Sequence, residues 1–155
     1  MSGIGWKENI RIDVRDIDGR LIDTTEFNNQ IEDTGLDYLA RSLASSTFDM
    51  KIRYMGWGSS NTAVSSSDNV LGDERGRKII TVSATSTTIG IIYNTVYLSP
   101  SEATTDIEEL AWFASSSAVA TADSGTMISR VLYSRSKTSL ESLTVTRTDT
   151  FSTGV

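Results

Sequence analysis

The chain reads as mainly β, an antiparallel sandwich or barrel-like domain with one helix near its N-terminus. Three observations predict this. Short runs of alternating apolar and polar residues recur along most of its length. Thr recurs on one face of the last run, where its branched carbon suits a pleated strand and its hydroxyl tolerates water. Helical spacing of apolar residues stands out in one segment, residues 32–44.

Ile10, Ile12 and Val14 alternate with Arg11, Asp13 and Arg15, so residues 8–16 form a half-buried strand. Ile17-Asp18-Gly19 then makes a hairpin. A three-residue loop with Gly19 left-handed pairs Asp16 with Arg20 and Val14 with Ile22, and a two-residue loop would set Val14 against Asp23. The first register is expected because it keeps like with like on each face. In the helix, Leu36, Leu39, Ala40 and Leu43 define the apolar stripe, and Asp33 or Thr34 can cap the first turn. Gly35 is an unfavourable residue inside that turn.

Further strands are expected at 51–57, 77–86, 89–98, 106–114, 126–135 and 141–151. The bulk of Tyr54, Met55 and Trp57 sends the first of these into the core. In the last, Leu143, Val145 and Phe151 share one face and Thr144, Thr146, Thr148 and Thr150 the other. Gly58–Asn69 and Ser115–Gly125 are loops of about a dozen residues, a length at which loops tend to carry contacts or function. Residues 1–9 are expected as an N-terminal arm and 10–155 as a single β-rich domain. Trp6, among Gly3, Gly5, Lys7 and Glu8, has little local core and is expected to pack on a neighbouring subunit.

Composition narrows the chemistry. The chain has 155 residues, no Cys and no His, and a formal net charge of −6. Disulfides and thiolate metal sites are therefore excluded, and the commonest general base and zinc ligand are missing. Clustered Lys and Arg for phosphate binding are lacking, which argues against nucleic acid. No signal-peptide pattern opens the chain, and no apolar run approaches a membrane span, so neither secretion nor a membrane is expected.

Each candidate for chemistry has a plainer reading. Asp13, Asp16, Asp18, Asp23 and Glu26 lack calcium-loop spacing, because Gly19 follows Asp18 directly, and they read as a charged hairpin tip. Gly56-Trp57-Gly58 lacks the lysine and following helix of a phosphate cradle; its glycines suit a close backbone approach. Glu108 and Glu109 are strand neighbours on opposite faces and cannot act as a carboxylate pair. If Glu109 faces inward with Ile107, Ala111 and Phe113, it needs a cation, Arg130 or Arg135. Trp57, Tyr93, Tyr97, Trp112 and Phe113 could form a sugar platform, although core or interface packing is their commoner role.

The order of features resembles small virion proteins of tailed bacteriophages. The resemblance rests on Asp16-Ile-Asp18-Gly19, then Asn28 to Gly35 leading into Leu36–Leu43, then Gly56-Trp57-Gly58. It continues through Leu71, Glu74 and Arg77 and the run Ile107, Glu109, Leu110, Ala111, Trp112, Phe113, and ends with Arg130, Lys137 and Ser-Leu-Thr-Val-Thr at 142–146. Ala111 stands where that family has Gly, and Trp112 where it has Leu. The resemblance covers nearly the whole chain and implies a non-enzymatic structural component, with no cofactor and no metal. Such a component would be assembled in the host cytoplasm as repeated copies in the tail, collar or baseplate or on the capsid. Its partners would be itself and other virion proteins, with no nucleic acid and no membrane. Trp6, Gly56, Trp57, Gly58, Glu74, Arg77, Glu109 and Arg130 are then structural or interface residues. The alternative is a receptor- or carbohydrate-binding module of a tail fibre.

Overall fold

A computed structural model describes residues 4–153. The chain is mainly β with two open antiparallel sheets and, among the described residues, a single helix; this is the sandwich-like class, since neither sheet closes into a barrel. It divides into two compact units. Among the described residues, the first comprises 4–30, 81–102 and 138–153, and the second 31–80 and 103–137.

The first unit is a five-stranded sheet. Its strands are β1 (Ile4–Asp16), β2 (Leu21–Asn29), β5 (Val82–Thr85), β6 (Ile91–Leu98) and β9 (Glu141–Thr153), in the order β2-β1-β9-β6-β5. Residues 4–9, expected as an arm, are the first part of β1 and pair with β9, Trp6 opposite Phe151. Met1–Gly3 lie outside the described residues.

The hairpin register agrees with expectation at the turn and departs from it beyond Arg15. Asp16 N–H donates to Arg20 O and Gly19 sits at φ +82°, as a three-residue loop requires. A bulge then follows, and Val14 faces Asp23 instead of Ile22. The bulge changes every later pair on β2. Phe27 stands opposite buried Ile10, whereas an unbulged register would place Glu26 there. One extra residue thus puts an aromatic ring, instead of a carboxylate, at a half-buried position.

The second unit is a four-stranded sheet in the order β4-β3-β7-β8, with β3 (Ile52–Gly58), β4 (Glu74–Ile79), β7 (Asp106–Ala114) and β8 (Thr126–Ser136). The strand expected at 77–86 is therefore two. Ile80 N–H donates to Arg53 O in the four-stranded sheet, and Thr81 N–H donates to Thr95 O in the five-stranded one. The run Ile79-Ile80-Thr81-Val82 has β character throughout, so nothing local marks the change of partner. Leu71, Ala111, Phe113, Ala118 and Met127 form a core cluster with Tyr54 against it. Each large side chain there stabilises by about 1.5–3 kcal/mol relative to exposure.

Helix α1 (Asp33–Ala44) lies within one residue of the expected span, but its caps and faces do not. The N-cap is Glu32, whose side chain makes no capping bond. Thr34 Oγ1 instead donates to Met127 O at 2.8 Å, and Asp33 N–H donates to Ser66 O. The buried residue is Gly35, while Leu36 is 47% and Leu43 84% exposed. A Cβ at Gly35 would lie 2.7 Å from Ile128 O, so the missing side chain lets the helix sit directly on β8. The helix is consequently turned by about one residue from the orientation its leucines suggest.

Candidate functional site

Three buried ionic groups stand out among the described residues, and most of the predicted site residues converge on two of them. The first surrounds Glu109, which is fully buried on β7. Arg130, on the neighbouring β8, donates from Nε to Glu109 Oε2 at 2.7 Å. Its Nη1 reaches Asp68 Oδ2 at 3.0 Å and its Nη2 reaches Thr62 O at 3.0 Å. The other oxygen contacts of Glu109 go to backbone. Gly72 N–H donates to Oε2 at 3.0 Å, and Asp73 N–H and Ser60 N–H to Oε1 at 2.8 and 3.3 Å.

One carboxylate and one guanidinium therefore fold the 59–73 loop down onto the sheet. Such charge-assisted bonds gain strength where water is excluded. Gly58 makes room for them: a Cβ there would stand 2.3 Å from Glu109 Oε1 and 2.6 Å from Asp73 O. Glu32 adds a further tie, accepting from Arg130 N–H at 3.3 Å. Beside this group lies a recess of about 330 Å³, lined by Ser60, Thr62, Asp68, Asn69, Gly72 and Arg130 among others.

The second group joins Glu74 and Arg77 on β4, whose side chains are 3% and 1% exposed. Arg77 stacks over the Phe113 ring at 4.1 Å and donates to Ser124 O at 2.9 Å and Val119 O at 3.3 Å. Glu74 Oε2 accepts from Asp123 N–H at 3.1 Å. The 115–125 loop is thereby pinned to β4 as the 59–73 loop is pinned to β7. Leu71 of the same motif is 4% exposed in the core cluster. Gly56 faces Leu71 and Phe113, and the Trp57 ring lies over the backbone of Gly76. The two motif glycines and Trp57 thus serve packing on either side of β3.

The third group was not legible as a site. Arg147 and Asp149 occupy the same face of β9 as Leu143 and Val145, and both are buried. Arg147 binds Asp149 in bidentate fashion at 2.8 and 2.7 Å and approaches Glu8 Oε1 at 3.5 Å. Burial disfavours the Arg147 charge, but Glu8 and then Asp149 outweigh it and raise its pKa further. Trp6 belongs here. Its Nε1 donates to Asp149 Oδ1 at 2.7 Å, and its ring stacks on Phe151 with centroids 5.2 Å apart. The period-two pattern of 143–151 was the available signal, because it put Arg147 and Asp149 on the apolar face.

Chemically, these arrangements hold charge in place. The acidic hairpin tip is closed on itself, with Asp16 Oδ1 accepting from Asp18 and Arg20 N–H at 2.9 Å each. Among the described residues no group of acidic side chains is placed to hold a metal ion. No known family description, curated protein sequence or solved structure matches this chain.

Proposed function

We propose that this chain is a structural subunit of a repeated assembly, of the kind found in tailed-phage virions, and that it works by protein contact. The observation that carries the reading is the set of large apolar side chains left in water. Leu36 and Leu43 on α1, Leu132 on β8, Ile79 on β4, Val82 on β5 and Ile89 in the following turn are 43–96% exposed. Among them Leu36 and Leu43 line up with exposed Ala40 at helical spacing on one face of α1, and an apolar stripe of this kind suits a surface that meets another protein.

Two further features agree with it. Glu109, Glu74, Asp149 and their arginines hold loops and strands in place. Trp112 and Phe113 are buried at 0% and 1%, so they are not exposed for stacking on a sugar ring. A subunit with pinned loops presents a fixed surface, and repeated copies can make modest contacts add up. Light scattering on the purified chain across a wide concentration range tests the proposal. A discrete oligomer is the expected result. A strict monomer at every concentration overturns self-assembly as its role.

A further inference from the structure

The four sheet edges of this protein are not equivalent. β2 ends the five-stranded sheet with Asp23 and Glu26, and β4 ends the four-stranded sheet with Arg75 and Lys78. β8, the other end of that sheet, is bordered by the start of α1, where Glu32 N–H donates to Ile128 O and Thr34 Oγ1 to Met127 O. The remaining edge, β5, has neither defence. Its four residues Val82-Ser83-Ala84-Thr85 are all exposed. No Asp, Glu, Lys or Arg occurs between Ile79 and Ser101. Natural edge strands are guarded by charge, proline, a cover or short length, and of these β5 has only the last, at four residues.

The backbone of β5 is correspondingly available. Ser86 N–H donates to Ile91 O, so Val82, Ala84 and Ser86 are the residues that bond inward to β6. The N–H and C=O groups of Ser83 and Thr85 then point to the open edge. We propose that this edge pairs with the β5 edge of a second copy, antiparallel about a two-fold axis, joining two five-stranded sheets into one. The inference rests on the reading of the chain as a self-assembling subunit.

Charge selects a second copy as the occupant. The chain carries a net charge of −6, so two copies repel wherever acidic surfaces meet. Along residues 79–101 they meet without like charges opposed, whereas β2 against β2 would set Asp23 and Glu26 near their own copies. Register follows from the backbone. Ser83 opposite Thr85 of the second copy, taken twice, uses all four outward groups on each side. That register brings Ala84 against Ala84 on the axis, at a non-hydrogen-bonded pair, where Cα atoms come closest. A small side chain fits there. Val82 and Ala84 share their face with Tyr93 and Thr95 of β6, so the joined sheet presents a continuous apolar and aromatic band.

Because the chain has no Cys, Ala84→Cys carries one thiol. Under mild oxidation it should form a covalent dimer rapidly, and Ser46→Cys on the exposed α1–β3 connection should not. Ser83→Pro removes an outward donor without touching the bonds to β6, and Val82→Lys places a charge on the edge. Each should weaken association by about tenfold or more in sedimentation experiments, with an unfolding midpoint that matches the wild type at dilutions where both are dissociated. Should Ser83→Pro fail to fold, Val82→Lys decides alone. An isologous contact also requires an even number of chains in the oligomer. A wild-type trimer, or an oligomer unaffected by Val82→Lys and not linked through Ala84→Cys, overturns the β5 pairing and leaves the structural-subunit reading standing. A monomer overturns both.

Discussion

The buried ion groups around Arg147 and Arg130 use the same chemistry to opposite ends. Arg147 lies within regular sheet, with its carboxylates on its own strand and on the adjacent β1. Glu8 and Asp149 are register partners, so the group tests whether β1 and β9 are aligned. A slip by one residue would turn one of the carboxylates out and leave Arg147 uncompensated. Arg130 instead reaches out of the sheet to Asp68 and Thr62, and Glu109 collects the amides of Ser60, Gly72 and Asp73. Buried charge therefore fixes strand register in one unit and loop conformation in the other.

The contrast can be broken most forcibly at Arg147. Arg147→Ala leaves Glu8 and Asp149 buried without it, and should cost about 3–5 kcal/mol in urea unfolding. Combining Arg147→Met with Glu8→Gln and Asp149→Asn should recover most of that loss, because no charge is then left alone. A triple variant as unstable as Arg147→Ala would mean that packing, not charge, is what Arg147 supplies.

Glu109→Ala should cost about 3 kcal/mol, and its effect should be local. Hydrogen exchange at the Gly72 and Asp73 amides should lose protection while β1 and β9 keep theirs. Uniform loss across both units would show that the two groups do not divide their tasks in this way. Arg77→Lys should cost less, about 1–2 kcal/mol, since a lysine keeps the charge but not the planar stack on Phe113 or the bonds to both loop carbonyls. Faster proteolysis within residues 115–125 is the accompanying sign.

Acid should matter least. Asp49 is held below the usual carboxylate range by the Lys51 N–H and then by Arg53. Asp73 is lowered first by the Ser59 hydroxyl and, against opposing desolvation, by Arg75. A carboxyl whose pKa is lower when folded adds stability above its ordinary pKa and loses it as pH falls. These two groups should thus lower the unfolding midpoint below about pH 4, each by an amount that solvent screening keeps small. Asp49→Asn should flatten that decline slightly, and no change in the pH profile would remove Asp49 from the account.

Much of the fold was legible because β periodicity is a local property. Strands at 51–57, 106–114, 126–135 and 141–151 differ from β3, β7, β8 and β9 by at most two residues at either end. The hairpin shows where legibility stopped. Pairing like with like predicted Val14 opposite Ile22, but the whole of β2 had to turn Phe27 inward, and only the assembled sheet weighs that distant residue. The helix taught the same lesson, since its leucine stripe was clear while Gly35 against Ile128 decided which face is buried.

By itself the sequence determined the β class, the single helix, the lack of thiol and imidazole chemistry, and the need of an inward Glu109 for an arginine. Those follow from composition and from periodicity within a few residues. Tertiary structure alone decided that the 77–86 strand divides between two sheets, that Arg147 meets Glu8 across nearly the full length of the chain, and that β5 is left as a neutral open edge. Each depends on which strands become neighbours. That choice is made by burial and hydrogen bonding summed over distant segments, and no local pattern encodes the sum.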